Sequence, residues 1–221
     1  MQKTHVIIVA GGSGNRMGAE TPKQFLQVAN KPILLHTLEK FYATNPLFNL
    51  ILVLPTAHFT MWQQILLQFN CTIPHTLVEG GKTRFHSVKN GLDLINDGYV
   101  AVHDGVRPLV SSKTIRNTLE DAAKYGAAIP VIQSTDSIRM LKDGSSIALN
   151  RVQLRNVQTP QCFEVTILKN AMLQEYIPDF TDCASVVEKA GFPIYLSDGN
   201  IENIKITTPL DLKLAELIGF T

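Results

Sequence analysis

The sequence predicts an α/β fold, a doubly wound and mostly parallel sheet with helices on both faces and a projecting β-hairpin arm. Three observations carry this. Short apolar strands alternate with helical periodicity from His5 to Ile132. The first strand ends abruptly in glycines, as a buried parallel strand does where it feeds a loop. The alternation then breaks at an Asp-Gly turn between two short extended segments, which is a hairpin signal.

Residues 5–10 form the first strand and run into Gly11, Gly12, Gly14 and Gly18. Glycines there let the backbone bend sharply toward a ligand, and the N–H groups of such a loop suit phosphate oxygens. Ile33, Leu34, Leu38 and Phe41 fall at helical spacing on a helix that starts near Pro32. Asn49 to Leu54 is a strand closed by Pro55, and Met61, Ile65, Leu66 and Phe69 mark a helix over 58–69. Thr76-Leu77-Val78 is a short strand. After Gly80-Gly81, the residues Phe85, Val88, Leu92 and Ile95 give one helix face. Tyr99 to Val102 is a strand with His103-Asp104-Gly105-Val106-Arg107-Pro108 just past its end. Ser111 or Ser112 caps the next helix, whose inner face is Ile115, Leu119 and Ala122, and Ala127 to Ile132 is a further strand.

Residues 134–158 read as an antiparallel arm leaving the sheet, turning at Lys142-Asp143-Gly144-Ser145. A lone hairpin is marginal in water, so the arm is expected to pack on something, most simply a second subunit. Beyond it, Thr181 caps a helix through Ala184, Val187 and Ala190 that Gly191 stops. Pro193 to Leu196 is a strand and Ile204-Lys205-Ile206 a short extended piece. Thr208-Pro209 opens a last helix with a buried stripe of Leu210, Leu214, Leu217 and Ile218. The whole chain, 1–221, reads as one domain carrying the arm as a subdomain.

Composition narrows the function. A 45 % hydrophobic and 18 % charged chain suits a globular protein with a sizeable core, and a net charge of +1 offers no general basic surface for nucleic acid. No apolar run approaches the ~18 residues of a membrane span. The N-terminus enters a strand directly, so no signal peptide is expected. Three scattered cysteines, Cys71, Cys162 and Cys183, lack a C-x-x-C pair, and a reducing cytoplasm is the expected setting.

Any polyphosphate must therefore be held by local cations. Arg16 and Lys23 flank the glycine loop, where they would neutralise a triphosphate and the charge that develops as its α-phosphorus is attacked. The loop is neither of the commonest nucleotide loops. Ala19 stands where a Walker loop needs lysine, and Met17 where a dinucleotide fingerprint needs its third glycine. Asp104, at a strand's C-terminal end, either holds a hard cation such as Mg²⁺ or pairs with Arg107. Gly80, Gly81 and Ser87 either meet a base edge or are a plain helix start. Lys205 reads as an ordinary edge lysine, and His36 and His58 as structural.

The loop G-G-S-G-N-R-M-G with P-K-Q-F after it resembles the signature of sugar and polyol phosphate nucleotidyltransferases. The further strings G-G-K-T-R-F-H-S-V, H-D-G-V-R-P, D-S-I-R, Q-T-P-Q, T-D-C-A-S and E-N-I-K-I-T-T-P-L-D-L follow in order over nearly the whole chain. Together they strongly resemble the 2-C-methyl-D-erythritol 4-phosphate cytidylyltransferase family. The resemblance implies a Rossmann-like nucleotidyltransferase, transfer of CMP from CTP with release of pyrophosphate, a Mg²⁺ or similar divalent ion, and a homodimer formed through the arm. It implies that Ala10, Gly11, Gly12, Ser13, Gly14, Gly80, Gly81, Ser87 and Asp104 bind CTP, with Asp104 serving ribose or metal. It gives Arg16, Lys23, Arg151 and Lys205 the catalytic roles, Arg151 reaching in from the partner's arm. Ser137, Arg151, Thr181, Asp182 and Lys205 would hold the polyol phosphate.

Two positions depart from the family pattern: Cys183 and Asn150 stand where acidic residues are usual. The rival readings are a ribitol 5-phosphate cytidylyltransferase and a CTP-binding protein without catalysis. The T-D-C-A-S and E-N-I-K-I-T strings favour the methylerythritol enzyme over the first. The presence of Arg16, Lys23, Arg151 and Lys205 together argues against the second.

Overall fold

The computed structural model describes residues 3–11 and 21–219. In chain order the strands are β1 (Thr4–Val9), β2 (Gln27–Val28), β3 (Lys31–Pro32), β4 (Asn49–Leu54), β5 (Thr76–Glu79), β6 (Tyr99–Asp104), β7 (Ala127–Gln133), β8 (Arg139–Lys142), β9 (Ser145–Ala148), β10 (Arg155–Val157), β11 (Gln161–Glu164) and β12 (Tyr195–Asp198). The helices are α1 (Ile33–Thr44), α2 (Phe59–Gln68), α3 (Arg84–Leu92), α4 (Ser112–Tyr125), α5 (Val165–Ala171), α6 (Cys183–Lys189) and α7 (Pro209–Gly219).

β1 lies at the centre of the main sheet, parallel to β4 and to β6, and β4 carries β5 in the same sense. β11 enters antiparallel between β6 and β7. β7 also pairs with β12, parallel, and with β10, antiparallel. The alternation of side chains along each strand divides the core into two layers. Ile7, Ile51, Val53, Val100 and Val102 pack with Phe85 and Val88 of α3, Leu168 of α5 and Val187 of α6. Val6, Ile8, Leu50, Leu52 and Ala101 pack on the other layer with Leu34 and Leu38 of α1, Trp62 of α2 and Ile115 of α4. Strands buried on both faces explain the uninterrupted apolar runs.

The hairpin forms as expected. β8 and β9 pair with Lys142 opposite Ser145, and Asp143 and Gly144 both take positive φ (35° and 77°), as a two-residue hairpin turn requires. The arm is shorter than 134–158, however. Arg155–Val157 hydrogen-bonds to β7 and so belongs to the main sheet.

Three other expectations need correcting. The cap of α6 is Asp182 rather than Thr181, because its carboxylate accepts the Ser185 N–H while the Ser185 side chain answers in a capping box. Residues 204–206 pair as no strand; Ile206 N–H donates to Val106 O at 3.0 Å, which fastens the segment beside the end of β6. On α7 the stripe Leu210, Leu214, Leu217 and Ile218 is exposed by 65, 39, 68 and 48 %, while Ala215 is fully buried. The face that packs is the Leu212–Ala215 side, against Val28, Ile33, Val106 and Ile206. Helical periodicity shows that an apolar stripe exists but not which side meets the body of the protein.

Candidate active site at the carboxyl ends of the central strands

β1 and β6 run parallel in register from Thr4↔Tyr99 to Val9↔Asp104, so their carboxyl ends open at one edge of the sheet, where open α/β sheets bind ligands. A cleft of about 320 Å³ lies there. Five segments reach it: the end of β1, the turn at Lys23, the β5–α3 loop, the end of β6, and the stretch around Lys205.

Ala10 and Gly11 continue β1 into the cleft, with Ala10 N–H still bonded to Val53 O at 3.0 Å. Gly12, Ser13, Gly14 and Arg16 lie outside the described residues. The P-K-Q-F string makes one 3-10 turn, Lys23–Phe25. Phe25 anchors it, edge-on to His58 and stacked on Trp62, and this fixes Lys23 and Gln24 on the cleft wall. Gln24 is 1 % exposed, and neither atom of its carboxamide has a hydrogen-bond partner among the described residues.

Opposite, Thr83 caps α3, accepting from His86 N–H. Gly81 N–H donates to Ser87 Oγ at 3.0 Å and Ser87 Oγ–H to Thr83 O at 3.0 Å. A Cβ on Gly81 would sit 2.4 Å from the His86 Cβ, so this tight turn admits only glycine. Gly80 stands behind it, its N–H taken by Leu54 O at 2.8 Å.

Asp104 is the electrostatic centre. Its side chain is 9 % exposed and meets Arg84 Nε at 3.3 Å, Arg107 Nε at 3.5 Å and Lys205 Nζ at 3.0 Å. Burial opposes its ionisation, but these three cations outweigh burial and hold the carboxyl well below the usual carboxylate range. The Asp104–Arg107 pair considered from sequence does form, within a larger cluster. Arg107 is fixed further by donating to Asn203 O at 2.7 Å. Arg84 also donates to Cys183 Sγ at 3.3 Å, tying α3 to the start of α6. Burial pushes the Cys183 thiol up, against the pull of Arg84, so it stays neutral at pH 7.

The backbone of Asp104 is held by a hydrogen-bond relay. Asp104 N–H donates to Thr159 Oγ1 at 3.1 Å, that hydroxyl to His103 Nδ1 at 2.9 Å, and His103 Nε2–H to Arg107 O at 3.1 Å. The relay needs an uncharged imidazole, and burial pushes the His103 pKa down to about 4.

Among the described residues, Lys23, Lys82, Arg84 and Lys205 line the cleft against the one carboxylate of Asp104, in a chain whose net charge is only +1. Such local concentration of positive charge suits a polyanion. In this structure both Asp104 oxygens face cations, Oδ1 towards Arg84 and Oδ2 towards Arg107 and Lys205, so a metal held by this carboxylate would compete with them.

The structure thus gathers Ala10, Gly11, Lys23, Gly81, Ser87, Asp104 and Lys205. Thr181 and Asp182 sit at the start of α6. Asp182 spends Oδ1 on the Ser185 N–H (2.9 Å) and Oδ2 on Gln161 Nε2 (2.7 Å). Ser137 is exposed, and so is Arg151, which donates to Thr135 O at 2.8 Å; neither lines the cleft of its own chain. The sequence alone assigned no role to Arg84, Lys82 or Gln24. Only the cation density of the K-T-R run hinted at the first two.

A family model described as 2-C-methyl-D-erythritol 4-phosphate cytidylyltransferase matches residues 4–219. A protein of that name from Bacteroides thetaiotaomicron is 50 % identical over 217 residues, covering 98 % of this chain and 99 % of the relative. One from Porphyromonas gingivalis is 48 % identical over 219 residues, covering 98 % of each. Among solved structures, the Thermus thermophilus protein of the same name superposes with a TM-score of 0.78 at 31 % identity over 98 % of both chains. The Anaerococcus prevotii 4-diphosphocytidyl-2C-methyl-D-erythritol synthase gives 0.83 at 26 % identity, over 98 % of this chain and 95 % of that one.

Proposed function

The chain belongs to the 2-C-methyl-D-erythritol 4-phosphate cytidylyltransferase family, and from that premise we propose how its cleft transfers CMP from CTP to 2-C-methyl-D-erythritol 4-phosphate, with release of pyrophosphate, in the non-mevalonate route to isoprenoids. The observation that carries the mechanism is the meeting of Lys23 and Lys205 in one cleft from opposite ends of the chain.

CTP lies with its triphosphate along the Ala10–Gly11 backbone and Lys23, and its cytosine toward Gly81 and Ser87. Lys23, with Arg16, neutralises charge that grows on the α-phosphoryl oxygens as the bond to pyrophosphate breaks. Lys205, held at Asp104, positions the phosphate of the acceptor for in-line attack. That phosphate is already an anion, so no protein nucleophile or general base is needed, and catalysis is alignment plus charge neutralisation. A divalent ion, expected as Mg²⁺, would supply charge neutralisation on the triphosphate when bound, and Asp104 is the residue proposed to hold it.

Arg151 lies on the exposed arm, and we assign it to the cleft of a second subunit in a homodimer joined through that arm. Ser137, Thr181 and Asp182 are proposed for the acceptor's side of the cleft. Among the described residues no helix is long and apolar enough to cross a membrane, and a cytoplasmic setting fits the reading. The test offers methylerythritol 4-phosphate and ribitol 5-phosphate separately with CTP and Mg²⁺. Pyrophosphate release with the first supports the proposal; release with the second alone overturns the acceptor.

A further inference from the structure

The strongest unexplained feature of the cleft is Gln24. Its side chain is buried, it borders the cleft beside Lys23, and both its amide nitrogen and its carbonyl oxygen lack partners among the described residues. Buried carboxamides are ordinarily satisfied, because an unmade hydrogen bond in a low-dielectric site forfeits the group's hydration without return. Here two complementary orphans sit on one side chain, at the edge of the cavity that takes the substrates. Phe25 next to it is wedged against His58 and Trp62, so the turn that carries Gln24 is firmly seated.

We infer that Gln24 is a ligand-binding residue whose carboxamide is satisfied only when substrate fills the cleft. The inference rests on the function proposed above and adds a group to it. The chemistry of the missing partner follows from what is orphaned. A phosphate oxygen accepts but does not donate, so it would serve the amide and leave the carbonyl bare. The partner must offer a donor and an acceptor together, as a sugar or polyol hydroxyl does and as the edge of cytosine does. The nucleoside of CTP and the polyol of the acceptor are the two sources. The terminal torsion of glutamine is broad, so the carboxamide can swing toward the cleft it borders.

The decisive variant is Gln24→Met, nearly equal in volume but without polar atoms to strand. If Gln24 waits for ligand, the variant melts about 3 °C or more above wild type when free of ligand, on the scale by which removing a buried orphan shifts a domain of this size. Its substrate response falls at the same time. A CTP–Mg²⁺ melting shift reduced relative to wild type assigns the partner to the nucleoside. A normal CTP shift with KM for the polyol phosphate raised about tenfold, on the scale of one hydrogen bond, assigns it to the acceptor. If Gln24→Met melts at or below wild type and both substrate responses are unchanged, Gln24 is structural, satisfied without substrate, and the inference is wrong. Gln24→Asn, which keeps the amide but draws it back by one methylene, serves if the methionine variant does not fold. It should weaken the same substrate response without raising the ligand-free melting temperature, and an unchanged response overturns the inference. Wild type that neither binds CTP nor releases pyrophosphate would instead overturn the function itself.

Discussion

Lys205 Nζ stands 3.0 Å from Asp104 Oδ2, joining the segment before α7 to the end of β6. Nothing local brings them together. Ile206 N–H must bond to Val106 O, and Arg107 must reach Asn203 O, for the lysine to arrive. The ion pair therefore shows that the cleft is assembled by the fold of the whole chain.

Asp104 faces three cations, and its removal strands them. Asp104→Asn should destabilise the protein by about 3 kcal/mol, the scale for removing one partner of a buried ion cluster. Urea unfolding measures it. Lys205→Ala should cost well under half of that, because the Lys205 side chain is 42 % exposed. Equal losses would contradict the central place given to Asp104.

Lys23 borders the cleft and contributes little to the core, so Lys23→Ala should keep a near-native melting temperature. Turnover should fall by about 10²–10³, the scale of losing one group that stabilises developing charge. Turnover within a factor of a few of wild type would remove Lys23 from the mechanism.

His103 sets a pH dependence. Its folded pKa of about 4 lies below the ordinary 6.5, so between these values the unfolded state binds a proton that the folded state refuses. Its contribution is thus complete above pH 6.5 and declines as pH falls, the loss reaching up to about 3 kcal/mol by pH 4. Asp104 acts in a separate window, its contribution being lost only as pH falls below 3.8. Denaturant midpoints across pH 4–6.5 should show a shallower slope for His103→Asn than for wild type. Identical slopes would contradict the neutral relay through Thr159.

The cysteines differ in access. Cys71 is partly exposed, whereas Cys162 and Cys183 are buried and burial raises both thiols. A native thiol titration with a bulky disulfide reagent should count one fast group, lost in Cys71→Ser. A second fast group would mean that the Arg84–Cys183 contact opens readily.

If Arg151 serves the partner's cleft, inactive Lys23→Ala and Arg151→Ala subunits should complement each other. Random pairing makes half of the dimers mixed, and one of the two sites in each mixed dimer is intact, so about a quarter of wild-type activity should return on mixing. No recovery in mixtures shown to exchange subunits would confine Arg151 to its own chain.

Much of this was legible in the sequence. Apolar runs such as Val6–Val9 and Leu50–Leu54 announce doubly buried strands, and Asp143-Gly144 announces its own turn. Gly11 could be placed at the mouth of the sheet because it follows the end of β1, and Lys23 because it flanks the same glycine loop. What stayed hidden depends on long-range docking. The leucines of α7 announce an apolar stripe but not the side on which the helix packs, and Arg84 is one basic residue among several until Asp104 and Cys183 arrive beside it. Gln24 gave no signal at all, since an unsatisfied carboxamide is a property of its surroundings.

The proposed reaction is a single displacement in which the acceptor's own phosphate takes CMP from CTP. The direct measurement follows pyrophosphate and the cytidylyl product together from CTP labelled at the α-phosphorus, with and without methylerythritol 4-phosphate. A single displacement predicts one product for each pyrophosphate, inversion at the labelled phosphorus, and no label on the protein when the acceptor is withheld. Labelled protein, or a stoichiometric burst of pyrophosphate without acceptor, would mean that a side chain takes the CMP first and would contradict it.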